Sequence, residues 1–192
     1  MKSRRAKTTR DPDATLAALL DAAEGEFNAH GFGGTDSNRI ARRAGYAPQT
    51  FYRHFADKTA IFLAVYERWW KSESGALGEL MRVRRPDLAK VADAMIAFHV
   101  KWKGFRRSLR HLATEDARVR AARSTARKAQ IEAVRPFVAK AGDGEILAAL
   151  LIFERLCDAV AEGEYGDAGL PKSAGRAAVL AAIRDFLGST IS

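Results

Sequence analysis

The stretch from residue 35 to residue 55 constrains the fold most, because it has the pattern of two short helices joined by a glycine turn. Thr35 or Asp36 is expected to cap the first helix with a side-chain oxygen. Gly45 follows that helix where the backbone often adopts a positive φ, and Pro48 suits the first turn of a helix. The pattern therefore predicts a helix-turn-helix whose second helix runs from about Pro48 to His54.

This second helix has an apolar and a polar side. Phe51 and Phe55, four residues apart, are expected to hold it to the core. The side chains expected to point away carry an amide, two hydroxyls, a guanidinium and an imidazole, but no carboxylate: Gln49, Thr50, Tyr52, Arg53 and His54. Amides and guanidinium groups read base edges, whereas hydroxyls and imidazole bind phosphate. The helix is either a DNA-reading helix or the solvated face of an ordinary helical hairpin.

The residues from Gly31 to Lys58 resemble the N-terminal domain of TetR-family (tetracycline-repressor-like) transcription regulators. The matching positions are Gly31, Phe32, Thr35, Ile40, Ala41, Ala44, Gly45, Thr50, Phe51, Tyr52, His54, Phe55 and Lys58. The resemblance covers roughly residues 14–66. It implies an all-α fold, in which an N-terminal three-helix DNA-binding head with a helix-turn-helix precedes a C-terminal helical body that binds a ligand and dimerises.

The resemblance also assigns roles to individual residues. It implies phosphate contacts by Ser37, Thr50, Tyr52, His54 and Lys58, base contacts by Asn38 and Gln49, and either role for Arg53. Two positions depart from the family pattern. Ser37 stands where a β-branched or apolar residue is common, and Tyr46 replaces a small aliphatic residue after the glycine. Both leave the tilt of the recognition helix open.

Three segments are expected along the chain: a basic flexible arm at residues 1–12, a DNA-binding domain at 13–56, and an effector-binding and dimerisation domain at 57–192. The arm either follows DNA phosphates and enters the minor groove, or is a solubilising tail. Its basic residues are Lys2, Arg4, Arg5, Lys7 and Arg10. No signal peptide or membrane-spanning run is recognisable, and one cysteine permits no internal disulfide. We therefore expect a cytoplasmic protein without membrane contact.

Helical periodicity continues through the body, and two helices at about 145–162 and 173–187 are apolar on more than one side. Two such pairs, one from each subunit, would form a four-helix bundle, which the family resemblance also implies. The alternative is that both faces are buried within one subunit. The residues expected in a homodimer interface are Ile146, Leu150, Phe153, Cys157, Val179, Ile183 and Phe186.

Large aromatic side chains concentrate on the two helices that follow the head. Such stripes are most often plain core, but a TetR-like body implies an effector cavity among these helices. The residues expected to line it are Phe62, Tyr66, Trp69, Met95, Phe98, His99 and Trp102. Tyr66, His99 and Trp102 would supply polar groups in an otherwise apolar pocket.

Residues 101–140 carry 12 basic and 3 acidic side chains out of a net charge of +9 for the chain. The arginines of this stretch are interpreted as a solvated basic face, because residues 118–128 would surround a helix instead of converging. The alternative is a site for an anionic effector, such as a fatty-acyl or aromatic carboxylate.

The resemblance thus implies a repressor that a small, largely apolar effector releases from a palindromic operator. The alternative is an activator of the same family. An enzyme is the main rival, but the four histidines lack metal-ligand spacing, and neither a G-x-S-x-G nor a Walker pattern occurs. We therefore expect no catalytic residue, cofactor or metal. A second rival is a non-specific, charge-driven nucleic-acid binder.

Overall fold

The computed structural model describes residues 11–191, and every regular element in that range is a helix. The α-helices are α1 (Pro12–His30), α2 (Ser37–Arg43), α3 (Pro48–His54), α4 (Lys58–Met81), α5 (Leu88–Lys101), α6 (Lys103–Glu115), α7 (Ala117–Val134), α8 (Asp143–Glu162), α9 (Glu164–Asp167) and α10 (Lys172–Ile191), with a 3-10 helix at Arg135–Phe137. This confirms the all-α prediction. None of the described helices is long and apolar enough to cross a membrane.

The chain forms two compact units that meet within α4, between Val65 and Tyr66. We call residues up to Val65 the head and residues from Tyr66 the body. The first turns of α4 therefore belong to the head, and the division falls later than the boundary expected after residue 56.

The core of the head is built on three phenylalanine rings. Phe62 of α4 meets Phe27 of α1 edge to face, with ring centroids 5.1 Å apart, and meets Phe32 in the same way at 5.4 Å. Ile40 of α2 and Phe51 of α3 are also fully buried. Burial of each such side chain contributes about 1.5–3 kcal/mol, so one apolar centre fixes all four helices of the head.

The turn between α2 and α3 has the geometry that its sequence predicts. Asp36, not Thr35, caps α2, because its carboxylate accepts a hydrogen bond from the Arg39 backbone N–H at 2.8 Å. Gly45 has φ +79°, a conformation that favours glycine. The backbone N–H of Tyr46 donates to the Ala41 carbonyl at 2.9 Å and closes the end of α2. The Tyr46 side chain is only half-buried, so it does not anchor the turn deep in the core.

A buried carboxylate connects α1 to α2. Glu26 is almost fully buried, and it accepts hydrogen bonds from the Thr35 hydroxyl and from Arg43 Nη1, both at 3.0 Å. Its Oε2 also lies 2.6 Å from Arg39 Nε. Burial opposes the charged form of Glu26, but the bonds from Arg43 and Thr35 and the charge of Arg39 outweigh this and lower the pKa of the carboxyl. Thr35 therefore binds Glu26 instead of capping a helix.

The core of the body lies between α5, α8 and α10. Val91 and Ala92 of α5 pack with Cys157 of α8 and with Val179 and Ile183 of α10. At Gly175 an added Cβ would lie 2.6 Å from a methyl group of Val160. This glycine therefore allows α10 to approach α8 closely.

A polar network ties α5 and α6 to the same helix α8. The Asp158 carboxylate accepts from His99 Nδ1 at 2.8 Å and from Arg106 Nε at 2.7 Å, and Arg110 Nη1 lies 2.5 Å from its other oxygen. Asp158, His99 and Arg106 are all buried. The expectation that the arginines form only a solvated face is wrong for Arg106, because its guanidinium is enclosed and neutralised.

The body has two helices, α6 and α7, between residues 103 and 134, and Asp116 caps the second of them. The preceding break lies at Trp102, whereas Gly104 is inside the first turn of α6. Asp57 and Asp87 cap α4 and α5, since each accepts a backbone N–H of the helix that follows.

Replacing Glu26 by glutamine is expected to destabilise the head by about 1–3 kcal/mol. The amide removes the charge that opposes Arg39 and Arg43, and the lower end of the range reflects the partial hydration of both guanidinium groups. Because the folded-state pKa of Glu26 is lowered, the contribution is complete above the unfolded value of 4.5 and is lost as the pH falls through the folded value.

Hydrogen exchange of the α2 amides in the full-length chain measures this effect, and α2 should exchange faster in Glu26→Gln at neutral pH. Asp13→Asn is the matched control, since Asp13 is an exposed carboxylate on the same helix. Equal protection of α2 in both variants would contradict the assigned role of Glu26.

Candidate functional site

The outer face of α3 carries three of the predicted DNA-contacting side chains in exposed positions. Gln49 and Arg53 are exposed, and Tyr52 keeps 56% of its surface accessible. His54 is half-buried beside them. Phe51 and Phe55 are buried on the opposite side, which confirms the predicted orientation of the helix. The exposed face therefore presents an amide, a phenol and a guanidinium and no carboxylate.

Thr50 is placed differently from its prediction. Its residue surface is only 6% exposed, so the expectation that it points away from the core is wrong. Its hydroxyl accepts a hydrogen bond from Arg53 Nη2 at 3.1 Å. A residue directly before the buried Phe51 lies partly on the inner side of so short a helix. Thr50 is placed to orient the guanidinium of Arg53.

The first helix of the motif contributes a smaller surface. Asn38 is exposed and Ser37 is half-buried at the start of α2. Neither position contradicts the predicted contacts, which stay predictions. Arg42 is also exposed on α2, while Arg39 and Arg43 are held by Glu26.

Lys58 has partners inside the head. Its Nζ donates to the carbonyls of Phe32 at 2.7 Å and Thr35 at 2.8 Å, and it lies 4.1 Å from the centroid of the Phe32 ring. Burial lowers the pKa of Lys58, and the charge of Asp36 partly offsets this effect. Two of the three ammonium hydrogens therefore hold the loop between α1 and α2, and the predicted phosphate contact is left with the third. The basic arm residues Lys2, Arg4, Arg5, Lys7 and Arg10 lie outside the described residues.

The body contains a cavity of about 180 Å³ between α4, α5, α7, α8 and α10. Its walls are mainly apolar, with Leu77, Met95, Leu150, Phe153 and Phe186 among them. Two of the seven residues predicted to line an effector pocket, Met95 and His99, do line this cavity. The prediction located the site on too narrow a set of helices, because α7, α8 and α10 supply much of the wall.

The other five predicted pocket residues lie elsewhere. Phe62 belongs to the core of the head. Tyr66, Trp69 and Trp102 are buried in an aromatic cluster with Phe105, in which the ring centroids of Trp69 and Trp102 are 6.1 Å apart. Phe98 is half-buried and does not line the cavity. The plain-core alternative is therefore correct for most of these aromatic side chains.

One end of the cavity is polar. Glu73, His99, Arg127 and Glu154 all line it. Arg127 Nη2 donates to Glu154 at 2.7 Å, and His99 Nε2 lies 3.9 Å from Glu73 Oε1. Burial raises the pKa of Glu73 to about 7, and the nearby Arg106 only partly opposes this. Burial also lowers the pKa of His99, although its bond to Asp158 acts in the opposite direction.

The residues predicted to form a dimer interface face inwards. Ile146, Cys157, Val179 and Ile183 are buried within the single chain, so their assignment to an intersubunit surface is wrong. Leu150, Phe153 and Phe186 are half-buried and line the cavity. Both helices have two apolar sides, and helical periodicity alone does not show which side faces outwards. Burial also raises the pKa of the Cys157 thiol to about 12.

The outward sides of α8 and α10 remain apolar. Leu151 and Ile152 of α8 are 49% and 53% exposed, and Ala148 is exposed one turn earlier. Ala177 and Ala181 are exposed on α10. We call these five residues the outer apolar face.

Sequence reasoning missed three polar groups that shape these sites. Glu26 lies within the apolar stripe of α1, and Asp158 lies within the apolar run of α8. A carboxylate inside such a run requires a partner, and this was a usable signal for both. Glu73 gave a weaker signal, because α4 has polar residues on several sides there.

The sequence profile described as "Bacterial regulatory proteins, tetR family" matches residues 19–65. Among characterised proteins, the HTH-type transcriptional repressor SCO4008 of Streptomyces coelicolor is 39% identical over 59 residues. This match covers 31% of each chain, so it spans less than a third of the relative's length. Both similarities fall on the DNA-binding end of the chain.

Solved structures extend the likeness to the whole fold. SCO4454, a TetR-family transcriptional regulator from Streptomyces coelicolor, is 20% identical, with a TM-score of 0.67 over 100% of this chain and 98% of its own. A protein from Mesorhizobium loti, described as a TetR-family transcriptional regulator, is 19% identical with a TM-score of 0.69 over 94% and 98% of the two chains. The N-terminal part of this chain is therefore similar in sequence to the tetR family of bacterial regulatory proteins, and the chain as a whole has the fold of these solved structures.

Proposed function

We propose that this chain is a cytoplasmic, dimeric transcriptional repressor that binds a palindromic operator and is released from it by a small, largely apolar effector. The observation that carries the proposal is the exposed face of α3, with Gln49, Tyr52 and Arg53 on a helix-turn-helix of the TetR family. A face of hydrogen-bond donors without a carboxylate suits the edges of bases and the phosphates of a DNA groove.

Within this proposal, individual residues of α2, α3 and the start of α4 have different roles. Gln49, and Asn38 on α2, are proposed to read base edges, because an amide donates and accepts in the pattern that adenine presents. Tyr52, Ser37 and His54 are proposed to bind phosphates. Arg53 is held by the Thr50 hydroxyl, which favours one orientation of its guanidinium toward the DNA. Lys58 is proposed to support the loop before α2 and to reach phosphate with its remaining hydrogen.

A second copy of the chain is the proposed occupant of the outer apolar face. Leu151 and Ile152 are large apolar side chains that remain half exposed in one chain, and the exposed alanines of α10 permit close packing of helices. A symmetric pair of α8 and α10 would bury this face and form a four-helix bundle. A palindromic operator offers such a dimer two half-sites on successive grooves, about 34 Å apart.

Release by the effector is proposed to act through α4. This helix begins at Lys58, whose side chain holds the loop before α2, and its later residues Glu73, Leu77 and Met81 line the cavity. An effector that displaces the cavity wall would favour a different spacing of the two heads. A coupling of about 1–3 kcal/mol is typical and changes operator affinity by roughly 5- to 150-fold.

The charge-driven binder is the alternative that the structure weakens. Three arginines of the basic stretch, Arg106, Arg110 and Arg127, bind carboxylates of α8. Their charges are therefore partly neutralised before any nucleic acid approaches. A salt series on specific and scrambled duplexes separates the two functions, because a charge-driven binder loses affinity for both alike.

Gln49→Ala is expected to reduce operator affinity by about 1–3 kcal/mol and to relax the preference at one base position. The operator is first selected from genomic fragments with the purified chain, and affinity is then measured by fluorescence anisotropy on all substitutions of each base pair. Lys128→Ala is the control, since it removes an exposed charge from α7 and should change neither property. Equal, sequence-independent losses in both variants would contradict base reading by α3.

Ile152→Asp is expected to convert the dimer into a monomer, because the carboxylate would be buried without a partner in the bundle. Light scattering coupled to size-exclusion chromatography measures the mass. Val100→Asp is the matched control, since Val100 is 54% exposed on α5 and lies outside the outer apolar face. A dimer that survives Ile152→Asp, or a wild-type chain that is already monomeric, would refute this interface.

A further inference from the structure

At the polar end of the body cavity, the carboxyl group of Glu73 lies outside the arginine–carboxylate pairs that surround it. Arg106 and Arg110 bind Asp158, Arg110 also binds Glu162, and Arg127 binds Glu154. Three guanidinium groups are thus opposed by three carboxylates. Glu73 is a further carboxyl beside this balanced set, and it is 8% exposed.

Glu73 also makes no hydrogen bond with any residue between 11 and 191. Its nearest charged partner is His99, whose Nε2 lies 3.9 Å from Glu73 Oε1, beyond hydrogen-bond distance. Buried polar groups in folded proteins are nearly always hydrogen-bonded, and an unpartnered one inside a cavity indicates a place for a ligand group.

His99 presents a second acceptor at the same place. Its Nδ1 lies 2.8 Å from the Asp158 carboxylate, which can only accept, so the ring proton resides on Nδ1. In the neutral imidazole, Nε2 then carries a lone pair. Glu73 and His99 therefore present two acceptors 3.9 Å apart. One nitrogen with several N–H groups can donate to both.

From these contacts we infer that the cavity binds an apolar molecule that carries a protonated amine, whose N–H groups donate to the Glu73 carboxylate and to His99 Nε2. The inference rests on the proposed function, because it names the chemical class of the effector. The positive head would balance the charge of Glu73, and the chain or ring would lie against Leu77, Met95 and Phe153. A cavity of about 180 Å³ is comparable with the 150 Å³ that holds benzene in an engineered protein, so the apolar part is of the size of one ring or a short alkyl chain.

An anionic effector fits this end of the cavity less well. A carboxylate there would approach both Glu73 and Glu154. Arg127 is the cation on the cavity wall; its Nη2 donates to Glu154 at 2.7 Å, whereas its Nη1 is buried and has no hydrogen-bond partner among the described residues. Glu154 therefore already opposes the charge that an anionic head group would need, and Nη1 is left to donate to a neutral acceptor.

Direct binding to the full-length chain without DNA tests the inference, with probes that share one apolar part and differ in the head group. Phenethylamine, phenethyl alcohol and hydrocinnamate form one series, and octylamine, octanol and octanoate form the other. Isothermal titration calorimetry should show the amine of at least one series binding about tenfold or more tighter than its alcohol, with the carboxylate weakest. An amine that binds no tighter than its alcohol in either series, or a carboxylate that binds best, would overturn the inference.

Glu73→Gln should remove the preference for the amine, with a loss of amine affinity of about tenfold or more, so that the amine and the alcohol bind with similar affinity. Glu67→Gln is the control on the same helix, since Glu67 is exposed and pairs with Lys71. Far-UV circular dichroism verifies the fold, and Glu73→Asp, which keeps the charge, should retain part of the preference. A Glu73→Gln chain that still prefers the amine would overturn the inference.

Proton release gives a readout that a merely structural role of Glu73 would not produce. The groups around Glu73 are His99 from α5, Arg106 from α6, Arg127 from α7, and Glu154 and Asp158 from α8. In the free protein the pKa of Glu73 is about 7, so at pH 6 amine binding should displace most of one proton, and amine affinity should rise with pH and level off above 7.

Titrations at one pH in buffers of different ionisation enthalpy measure the released proton, and Glu73→Gln should release none. Proton uptake, or release that persists in Glu73→Gln, would overturn the inference. Operator binding is measured separately. A chain that binds its operator but no amine would refute the amine effector and leave the proposed regulator function in place. A chain that binds the amine but no operator would refute the regulator function and leave the amine site in place.

Discussion

The carboxylate of Asp158 is the interaction on which the rest of the body depends. It lies within the apolar helix α8 and binds His99 of α5 together with Arg106 and Arg110 of α6. Burial disfavours its charge, but His99 and Arg106 outweigh that effect and hold the pKa of Asp158 far below its usual range. Removal of one partner from such a network leaves an uncompensated buried charge and typically costs about 3–5 kcal/mol, so the register of these three helices is strongly specified.

The same network determines the properties of the cavity. Because Asp158 fixes the Nδ1 proton of His99, the other ring nitrogen is available beside Glu73. Because Arg106 and Arg110 are neutralised at Asp158, the uneven charge of the chain does not translate into a positively charged cavity. Three arginines of the basic stretch, Arg106, Arg110 and Arg127, are thus paired with carboxylates of α8. In the head, Glu26 is the buried carboxylate that corresponds to Asp158. It binds Thr35, Arg39 and Arg43 and so fixes α2 relative to α1.

Much of the head is predictable from sequence, because local signals there coincide with tertiary ones. Asp36 marks the start of α2, Gly45 follows its end, and Pro48 begins α3. The spacing of Phe51 and Phe55 determines which side of α3 is buried. The burial of Thr50 is not predictable in this way, since a residue at the border between the two sides of a seven-residue helix can be either buried or exposed. The bonds of Lys58 to the Phe32 and Thr35 carbonyls are also invisible, because they join residues more than twenty positions apart.

The body is less predictable for a related reason. Periodicity shows that α8 and α10 are apolar on two sides, but it does not show which side meets the same subunit. Ile146 and Phe153 face inwards, whereas Leu151, Ile152 and several alanines are exposed. Likewise, aromatic spacing on α4 and α5 indicates burial but cannot distinguish a packed cluster around Trp69 from the wall of a cavity.

The position of the indole rings has a practical consequence. All three tryptophans of the chain, Trp69, Trp70 and Trp102, lie after Val65, so the head has only tyrosine and phenylalanine as chromophores. Trp69 is packed against Trp102, with the guanidinium of Arg106 5.1 Å from its ring. Intrinsic emission excited at the red edge of the absorption band therefore reports on the body alone, and it registers events in the interior of the body without a contribution from the head.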